Sequence, residues 1–198
     1  MKIGMYGGSF NPPHNGHLYL AEKMGSLVGL DKIIIIPSNI SPQKSNNGNI
    51  DPAHRINMCK DVFDSSLFEV SDCEISRGGR SFTVDTLTFL KEQYPDDELF
   101  LFMGSDMLLS FHSWYRYQDI MSMCTLCAIS RDDNESAQIL RNYADSVLGD
   151  GNVLIFDIEP FEVSSSEIRD NLKNGKSCKG LISEKTENYI KENKLYGQ

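Results

Sequence analysis

Two histidines and a pair of glycines follow a short apolar run near the start of the chain. The run covers residues 3–6, and residues 7–17 read Gly-Gly-Ser-Phe-Asn-Pro-Pro-His-Asn-Gly-His. A strand that ends in small residues and leads into a helix exposes backbone N–H groups at the positive helix end, where a polyphosphate can bind. His14 and His17 are three residues apart and share one face of the starting helix. The pattern predicts a nucleotide-binding site for phosphoryl or nucleotidyl transfer.

The spacing of these residues differs from the two commonest nucleotide-binding motifs. A dinucleotide-binding turn needs G-x-G-x-x-G and a P-loop needs Lys-Ser/Thr after its second glycine, whereas here the glycines are adjacent and histidine takes the cationic role. The stretch resembles the G-G-x-F-D-P-P-H-x-G-H signature of a nucleotidyltransferase superfamily whose hallmark is H-x-G-H or T-x-G-H, and residues 14–17 form that tetrad. An isolated pair of histidines would be interpreted as solvated loop residues, but the whole string favours the nucleotide site.

Composition and charge narrow the class of protein. The chain has 198 residues, and we predict a single domain over residues 1–198 with a well-buried core. A net charge of −9 argues against a nucleic-acid partner, because binding a phosphate backbone requires clustered Lys and Arg. The sequence shows no tripartite leader and no apolar run of membrane-spanning length, so we expect a cytoplasmic protein that binds no membrane. Small phosphorylated substrates remain compatible with this charge.

The five cysteines are an odd number without a disulfide spacing, which predicts reduced thiols. Cys124 and Cys127 have the spacing of a metal or redox pair. They lead into a predicted strand, however, where residues three apart point to opposite faces, and no second pair completes a zinc site. We therefore predict buried thiols at both positions.

Apolar runs alternate with helical patterns through most of the chain. Predicted strands cover residues 3–6, 33–36, 67–70 together with 73–76, 99–102, 125–129 and 153–156, and predicted helices cover about 16–27, 53–63, 84–93 and 135–147, with two more after Ser164 and Ser183. This alternation predicts a doubly wound α/β fold with a parallel sheet covered on both faces. Ligands of such folds bind at the carboxyl ends of the strands, and the polar clusters of this chain all follow predicted strands.

A second candidate site lies near the C-terminus, where residues 163–169 read Val-Ser-Ser-Ser-Glu-Ile-Arg. Ser164 and Glu167 have the spacing of a capping box, which is a purely structural role. Two further hydroxyls and Arg169 one turn along make a second positive helix end, suited to the β- and γ-phosphates of ATP. The string also resembles the I-S-S-T-x-I-R motif of the same superfamily.

Several segments between the two motifs resemble nicotinate-nucleotide adenylyltransferases. Residues 37–44 are similar to their P-x-x-x-P-P-H-K loop, and residues 80–87 to their S-Y-T-x-x-T-L element. Residues 104–108 look like their G-x-D-x-L element, Trp114-Tyr115 like their W-Y pair, and Ser130-Arg131 like their strand-end arginine. The resemblance runs in order over nearly the whole chain.

The resemblance implies a Rossmann-like nucleotidyltransferase fold and transfer of the adenylyl group of ATP to nicotinate mononucleotide, with Mg²⁺ carried on the ATP phosphates and no protein metal site. It implies that His14 and His17 are catalytic. The residues implied to bind ATP are Gly7, Gly8, Ser9, Phe10, His14, Gly16, His17, Lys44, Gly104, Asp106, Ser165, Ser166 and Arg169. The residues implied to bind nicotinate mononucleotide are Ser38, Asn39, Phe82, Thr83, Asp106, Trp114, Tyr115 and Arg131.

Several of these residues also have a plain structural interpretation. Trp114 and Tyr115 could be packing aromatics, Asp106 and Thr83 could cap the helices that follow them, and Lys44 could be a solvated charge. The chain also departs from the family pattern. Asn11 replaces an aspartate and so removes a carboxylate that would help hold a metal or orient a histidine, Ser41 replaces a proline, Gln43 a histidine, and Ser166 a threonine.

Two other functions are compatible with the first and last motifs. A phosphopantetheine adenylyltransferase shares both, but lacks the Trp114-Tyr115 and 83–87 elements and is usually shorter. A nucleotide-binding regulator would use the fold without turnover, and the presence of both histidines counts against it. The sequence leaves the oligomeric state open, a homo-oligomer included.

Overall fold

The computed structural model describes residues 1–41, 50–130, 134–149 and 152–197, with side chains described in these ranges except at 134–136. One parallel sheet runs through the molecule, with strands β1 (Lys2–Gly8), β2 (Lys32–Pro37), β3 (Phe68–Val70), β4 (Glu98–Gly104), β5 (Thr125–Ser130) and β6 (Val153–Asp157). The helices are α1 (Asn15–Val28), α2 (Pro52–Val62), α3 (Cys73–Arg77), α4 (Thr83–Gln93), α5 (Ser105–Leu109), α6 (Tyr117–Met123), α7 (Asn134–Tyr143), α8 (Ser165–Lys173) and α9 (Glu184–Glu192).

The strand order β3-β2-β1-β4-β5-β6 confirms the doubly wound α/β fold. From β1 the chain builds outward through β2 and β3, then returns to the other side of β1 to add β4, β5 and β6. The order reverses between β1 and β4, and folds of this kind bind their ligands at the carboxyl ends of the strands near such a reversal. The Gly7–His17 string runs from the end of β1 into α1, and Asp106 lies in α5 directly after β4, so the topology brings both to one edge of the sheet.

Two apolar cores cover the two faces of the sheet, because successive side chains of a strand point to opposite sides. The isoleucines of β2 divide accordingly: Ile34 and Ile36 belong to one core, and Ile33 and Ile35 to the other. Cys124 and Cys127 are buried free thiols in different cores, as predicted. Burial on both faces is what makes these strands continuous apolar runs instead of alternating ones.

A third apolar cluster fixes the C-terminal helices against the rest of the fold. Ile168 and Leu172 of α8 pack with Ile190 of α9 and with Met58 of α2. All four side chains are nearly inaccessible to solvent. This cluster decides where the second motif lies, because Ile168 immediately precedes Arg169.

One predicted element was wrong. Residues 73–76 form helix α3 instead of a strand: the buried Glu74 carboxylate accepts a hydrogen bond from Thr86 of α4, and Gly78, at φ +72°, ends the helix. The predicted helix 135–147 is confirmed: it is α7, which continues in a π-helical turn, Ala144–Leu148. Among the described helices, none is both long and apolar enough to cross a membrane.

Candidate active site

The loop between β1 and α1, residues 9–13, is built around the buried ring of Phe10. This side chain is 1 % exposed, and its ring centre lies 5.4 Å from that of Tyr6 and 5.0 Å from that of His17. Phe10 has φ +45°, a backbone conformation that non-glycine residues rarely adopt. A Cβ at Gly8 would lie only 3.1 Å from the ring, so the glycine makes room for it. Packing of the ring therefore sets the path of the chain into α1.

His14 and His17 cap the start of α1 with each other's side chains. His14 Nδ1 accepts from the His17 backbone N–H at 3.3 Å, and His17 Nδ1 accepts from the His14 backbone N–H at 3.2 Å. Their rings stack with centres 3.6 Å apart. Burial lowers the pKa of His14 to about 4, so this imidazole is neutral at neutral pH. Because Nδ1 of each ring accepts a backbone hydrogen bond, the ring proton lies on Nε2, which makes Nε2–H a donor for an anionic ligand.

The two motifs meet around loop 9–13. A Cβ at Gly16 would lie 2.7 Å from Cγ1 of Val163, so helix α1 and the segment before α8 are in direct contact. Ser165 Oγ donates to the carbonyl of Pro12 at 2.9 Å, and Arg169 Nη1 donates to the carbonyl of Asn11 at 2.7 Å. Residues more than 150 positions apart in sequence thus form one site.

Helix α8 shows one of the two hydrogen bonds of the predicted capping box. Ser164 Oγ accepts from the Glu167 N–H at 3.1 Å. The complete capping box of this site forms at α1, between the two histidines. Ser166 Oγ accepts from Arg169 Nη2 at 3.0 Å and so orients the guanidinium. Ser165 and Arg169 thus hold the loop through its carbonyl groups.

Arg55 is a site residue that the sequence analysis missed. It is 1 % exposed, and its Nη1 donates to the carbonyl of Ser9 at 2.8 Å, while Nε has no hydrogen-bond partner in the described structure. Burial lowers the pKa of this guanidinium, which nevertheless stays protonated. The signal in the sequence is an arginine on the same helical face as the buried Met58 and Cys59, where an apolar residue is expected.

A cleft of about 210 Å³ opens beside the two histidines. Its walls come from the start of α1, the end of β5 and the segment after β6, and the residues are Tyr6, His14, Gly16, His17, Tyr19, Leu20, Ile129, Ser130, Ile158, Glu159, Pro160, Phe161 and Val163. Ser130 is fully buried and its hydroxyl donates to Asp157 of β6. The cleft is largely apolar with histidine at one side, which suits a purine ring and its phosphate.

The residues predicted to bind the second nucleotide gather at the ends of β2 and α4. Asn39 N–H donates to Ser81 Oγ at 2.9 Å, and Asn39 Nδ2 donates to the carbonyl of Gly79 at 3.0 Å. Ser38 is buried, and its Oγ has no hydrogen-bond partner in the described structure. Ser81 and Thr86 both hydrogen-bond the buried Glu74, whose carboxyl pKa is raised by burial. This internal network joins the loop after β2 to the start of α4.

The aromatic residues predicted to bind the mononucleotide lie next to the start of α4. The ring centre of Phe82 is 4.9 Å from that of Tyr115, which is 57 % exposed. Trp114 is half-buried against Phe111, 5.3 Å between ring centres, and its indole Nε1 is buried without a hydrogen-bond partner in the described structure. The contact with Phe111 agrees with the interpretation of Trp114 as a packing aromatic.

The capping alternatives for Thr83 and Asp106 were wrong. Thr83 is the first residue of α4, and the N-cap residue, Phe82, makes no side-chain cap. Asp106 is the second residue of α5 and is exposed; a Cβ at Gly104 would lie 2.9 Å from its Oδ1. Lys44 and Arg131 lie outside the described residues. Within the described residues, no cluster of three or more His, Cys, Asp or Glu side chains could hold a metal ion.

Comparison with known proteins decides the family. The profile of the cytidylyltransferase-like family matches residues 5–171. The chain is 36 % identical over 196 residues to the nicotinate-nucleotide adenylyltransferase of Bacillus subtilis, covering 98 % of both proteins, and 36 % identical over 201 residues to the probable enzyme of that name from Clostridium beijerinckii, again covering 98 % of both. The chain belongs to the nicotinate-nucleotide adenylyltransferase family.

Solved structures of nicotinate-nucleotide adenylyltransferases share the fold. The nicotinic acid mononucleotide adenylyltransferase of Plasmodium falciparum complexed with NaAD superimposes with a TM-score of 0.78 at 22 % identity, covering 98 % of this chain and 97 % of that one. The same enzyme complexed with APC gives a TM-score of 0.77 at 23 % identity, covering 98 % and 96 %. At this identity the similarity establishes the Rossmann-like nucleotidyltransferase architecture.

Proposed function

We propose that this enzyme transfers the adenylyl group of ATP to the 5′-phosphate of nicotinate mononucleotide, giving deamido-NAD and pyrophosphate in NAD biosynthesis. The observation that carries the proposal is the convergence at loop 9–13. There the paired histidines of α1 and the guanidinium groups of Arg55 and Arg169 surround one short turn. Within the described part of the chain, neither guanidinium has a carboxylate within 4.0 Å. Positive charge of this kind suits a polyphosphate.

In this proposal the reaction is an in-line displacement that needs no covalent enzyme intermediate. The phosphate oxygen of the mononucleotide attacks the α-phosphorus of ATP, the bond to the β-phosphate breaks, and pyrophosphate leaves. His14 and His17 donate from Nε2 to the α-phosphoryl oxygens and stabilise the charge that builds there. Both rings are held by the reciprocal cap, so little reorganisation is needed at the moment of reaction.

The remaining ATP contacts follow from the two helix ends. The N–H groups after Gly7 and Gly8 and at the start of α8 face the oligophosphate, and Arg169, Ser166 and Lys44 contact its outer phosphates. The side chains described around loop 9–13 are mainly hydrogen-bond donors, which match phosphate oxygens. Nucleotidyltransferases generally use a divalent metal with the nucleotide, and we propose that Mg²⁺ enters on the ATP phosphates and is held chiefly by them.

We assign the second substrate to the region between β2 and α4. The first N–H groups of α4, at Thr83 and Val84, lack a side-chain cap and can donate to the nicotinate carboxylate. The rings of Trp114 and Tyr115 flank the pyridine, and Ser38 Oγ, buried without a described partner, is available to the mononucleotide. Asp106 accepts from ribose hydroxyls.

The test is pyrophosphate release from ATP with a panel of acceptors: nicotinate mononucleotide, nicotinamide mononucleotide and phosphopantetheine. An amide would place an NH₂ group against the N–H donors of α4, and an unpaired buried polar group costs about 1–3 kcal/mol, so we expect at least about tenfold preference for the acid. Turnover with phosphopantetheine alone, or a clear excess of NAD over deamido-NAD in competition, would contradict the assignment. Nucleotide binding without any turnover would make the protein a regulator.

A further inference from the structure

The C-terminal turn, residues 195–197, reaches back to loop 9–13, which leads into the two histidines of α1. Tyr196 Oη donates to Asn11 Oδ1 at 2.6 Å across 185 positions of sequence. Asn11 is 4 % exposed and lies directly before Pro12 and Pro13. This contact belongs to neither nucleotide-binding motif.

Loop 9–13 depends on donors from elsewhere in the chain. Pro12 and Pro13 have no backbone N–H, so this part of the loop cannot build a hydrogen-bonded turn of its own. Its carbonyls at Ser9, Asn11 and Pro12 accept instead from Arg55, Arg169 and Ser165. The only side chain of the loop between Phe10 and the prolines is that of Asn11, and Tyr196 holds it.

The terminal turn is itself fixed in an unusual backbone conformation. Lys194 and Tyr196 have φ of +51° and +61°, the left-handed region that non-glycine residues rarely occupy. Such residues persist where surrounding contacts determine them, and here Leu195 between them is buried in the cluster of α8 and α9. Arg55 and Arg169 both lie near enough to the phenol to act on it electrostatically, although burial prevails and raises its pKa.

Resting on the function proposed above, we propose that Tyr196 is a positioning residue for adenylyl transfer. Its hydroxyl fixes the Asn11 side chain and thereby the approach of loop 9–13 to His14. The asparagine that replaces the aspartate of the family pattern therefore has a structural acceptor role in this chain. The turn at residues 195–197 is thereby part of the active-site scaffold.

The decisive variant is Tyr196→Phe, which removes one oxygen atom and keeps the ring. The matched control is Tyr189→Phe on α9, whose hydroxyl contacts His54 and Asn57 on α2 and lies outside the site. Two measurements are made on both variants: steady-state kinetics of pyrophosphate release, and hydrogen–deuterium exchange of peptides covering residues 8–17. Hydrogen–deuterium exchange does not depend on turnover, so it tests the hold of Tyr196 on loop 9–13 even in an inactive protein. An inactive wild-type protein would refute the proposed function, and the exchange comparison would still decide whether Tyr196 positions the loop.

We expect Tyr196→Phe to lower kcat about threefold to tenfold, the effect of losing one buried hydrogen bond, with KM for nicotinate mononucleotide unchanged within about twofold. Exchange in residues 8–17 should become faster. Tyr189→Phe should change neither. Asn11→Ala should lower kcat similarly, the double variant should lose little more, and Asn11→Asp, which keeps an acceptor, should retain activity. Reduced kcat without faster exchange, faster exchange with full kcat, or equal losses in both tyrosine variants would each overturn the proposal.

Discussion

A methyl group at position 16 would collide with both halves of the active site. The Cβ of Gly16→Ala would lie 2.7 Å from Val163 Cγ1 and 3.2 Å from His14 Nδ1. Carbon atoms pack at about 3.5–4.0 Å, so Val163 and α1 must separate by about 0.8 Å or more. His14 must shift as well, although its Nδ1 accepts the first N–H bond of the capping box. The substitution thus disturbs catalytic geometry from a position with no functional group.

We expect Gly16→Ala to reduce activity far more than stability. Overpacking costs about 1–3 kcal/mol, and replacing a helical glycine by alanine returns about 1 kcal/mol, so we expect a net loss of at most about 2 kcal/mol. For a protein of this size that lowers Tm by up to about 8 °C. A displacement near 1 Å at reacting groups costs on the order of 10²-fold, so kcat/KM should fall about 10- to 100-fold in a folded protein.

The same helix supplies the control. A Cβ at Gly25 would lie 3.1 Å from Ile33 Cδ1 and 3.2 Å from Leu67 Cδ2, both ends of flexible side chains that can move aside. Gly25→Ala should therefore leave kcat/KM within about twofold of the wild-type value, since Ile33 and Leu67 can move without displacing either histidine. Thermal melts and pyrophosphate-release kinetics on both variants decide the matter. Full activity in Gly16→Ala, or parallel losses in the two variants, would refute the reasoning.

Three further predictions concern the two histidines and Arg169. His17→Ala should lower kcat about 10²–10³-fold while calorimetry shows ATP affinity little changed, because its donor acts on charge that develops in the transition state. Burial lowers the pKa of His14 to about 4, so the unfolded chain binds a proton at this imidazole more tightly than the folded protein does. The contribution of the neutral His14 to the free energy of unfolding, up to about 3 kcal/mol, should be complete above pH ~6.5 and lost as pH falls toward 4. Melts from pH 7 to 4.5 should show a flatter profile for His14→Asn, which keeps a non-titrating cap acceptor. Arg169→Ala should weaken ATP and pyrophosphate more than the mononucleotide in calorimetry, with α8 intact because Ser164 still caps it; equal weakening of both substrates would argue against its phosphate role.

Local sequence patterns were sufficient for most of the fold. The isoleucines of β2 and the apolar run of β4 predict buried parallel strands because both faces of such strands pack against helices. The strand predicted at 73–76 was wrong because a contact distant in sequence decides the structure of this segment. Its alternation suits a strand, but the buried contact of Glu74 with Thr86 is made ten or more residues away, and no local pattern reports it.

The sequence by itself determined which chemistry is present: two histidines at a helix start, a second helix start with hydroxyls and Arg169, and strands whose carboxyl ends bring them to one edge. Only the tertiary structure decided how these groups are held. Arg55 and Tyr196 contact loop 9–13 from 46 and 185 positions away, and Ser165 holds Pro12 from 153 positions away. Hydrogen-bond acceptors without local donors must be satisfied by whatever side chains the fold brings near, and that depends on the packing of α2, α8 and α9, not on spacing along the chain.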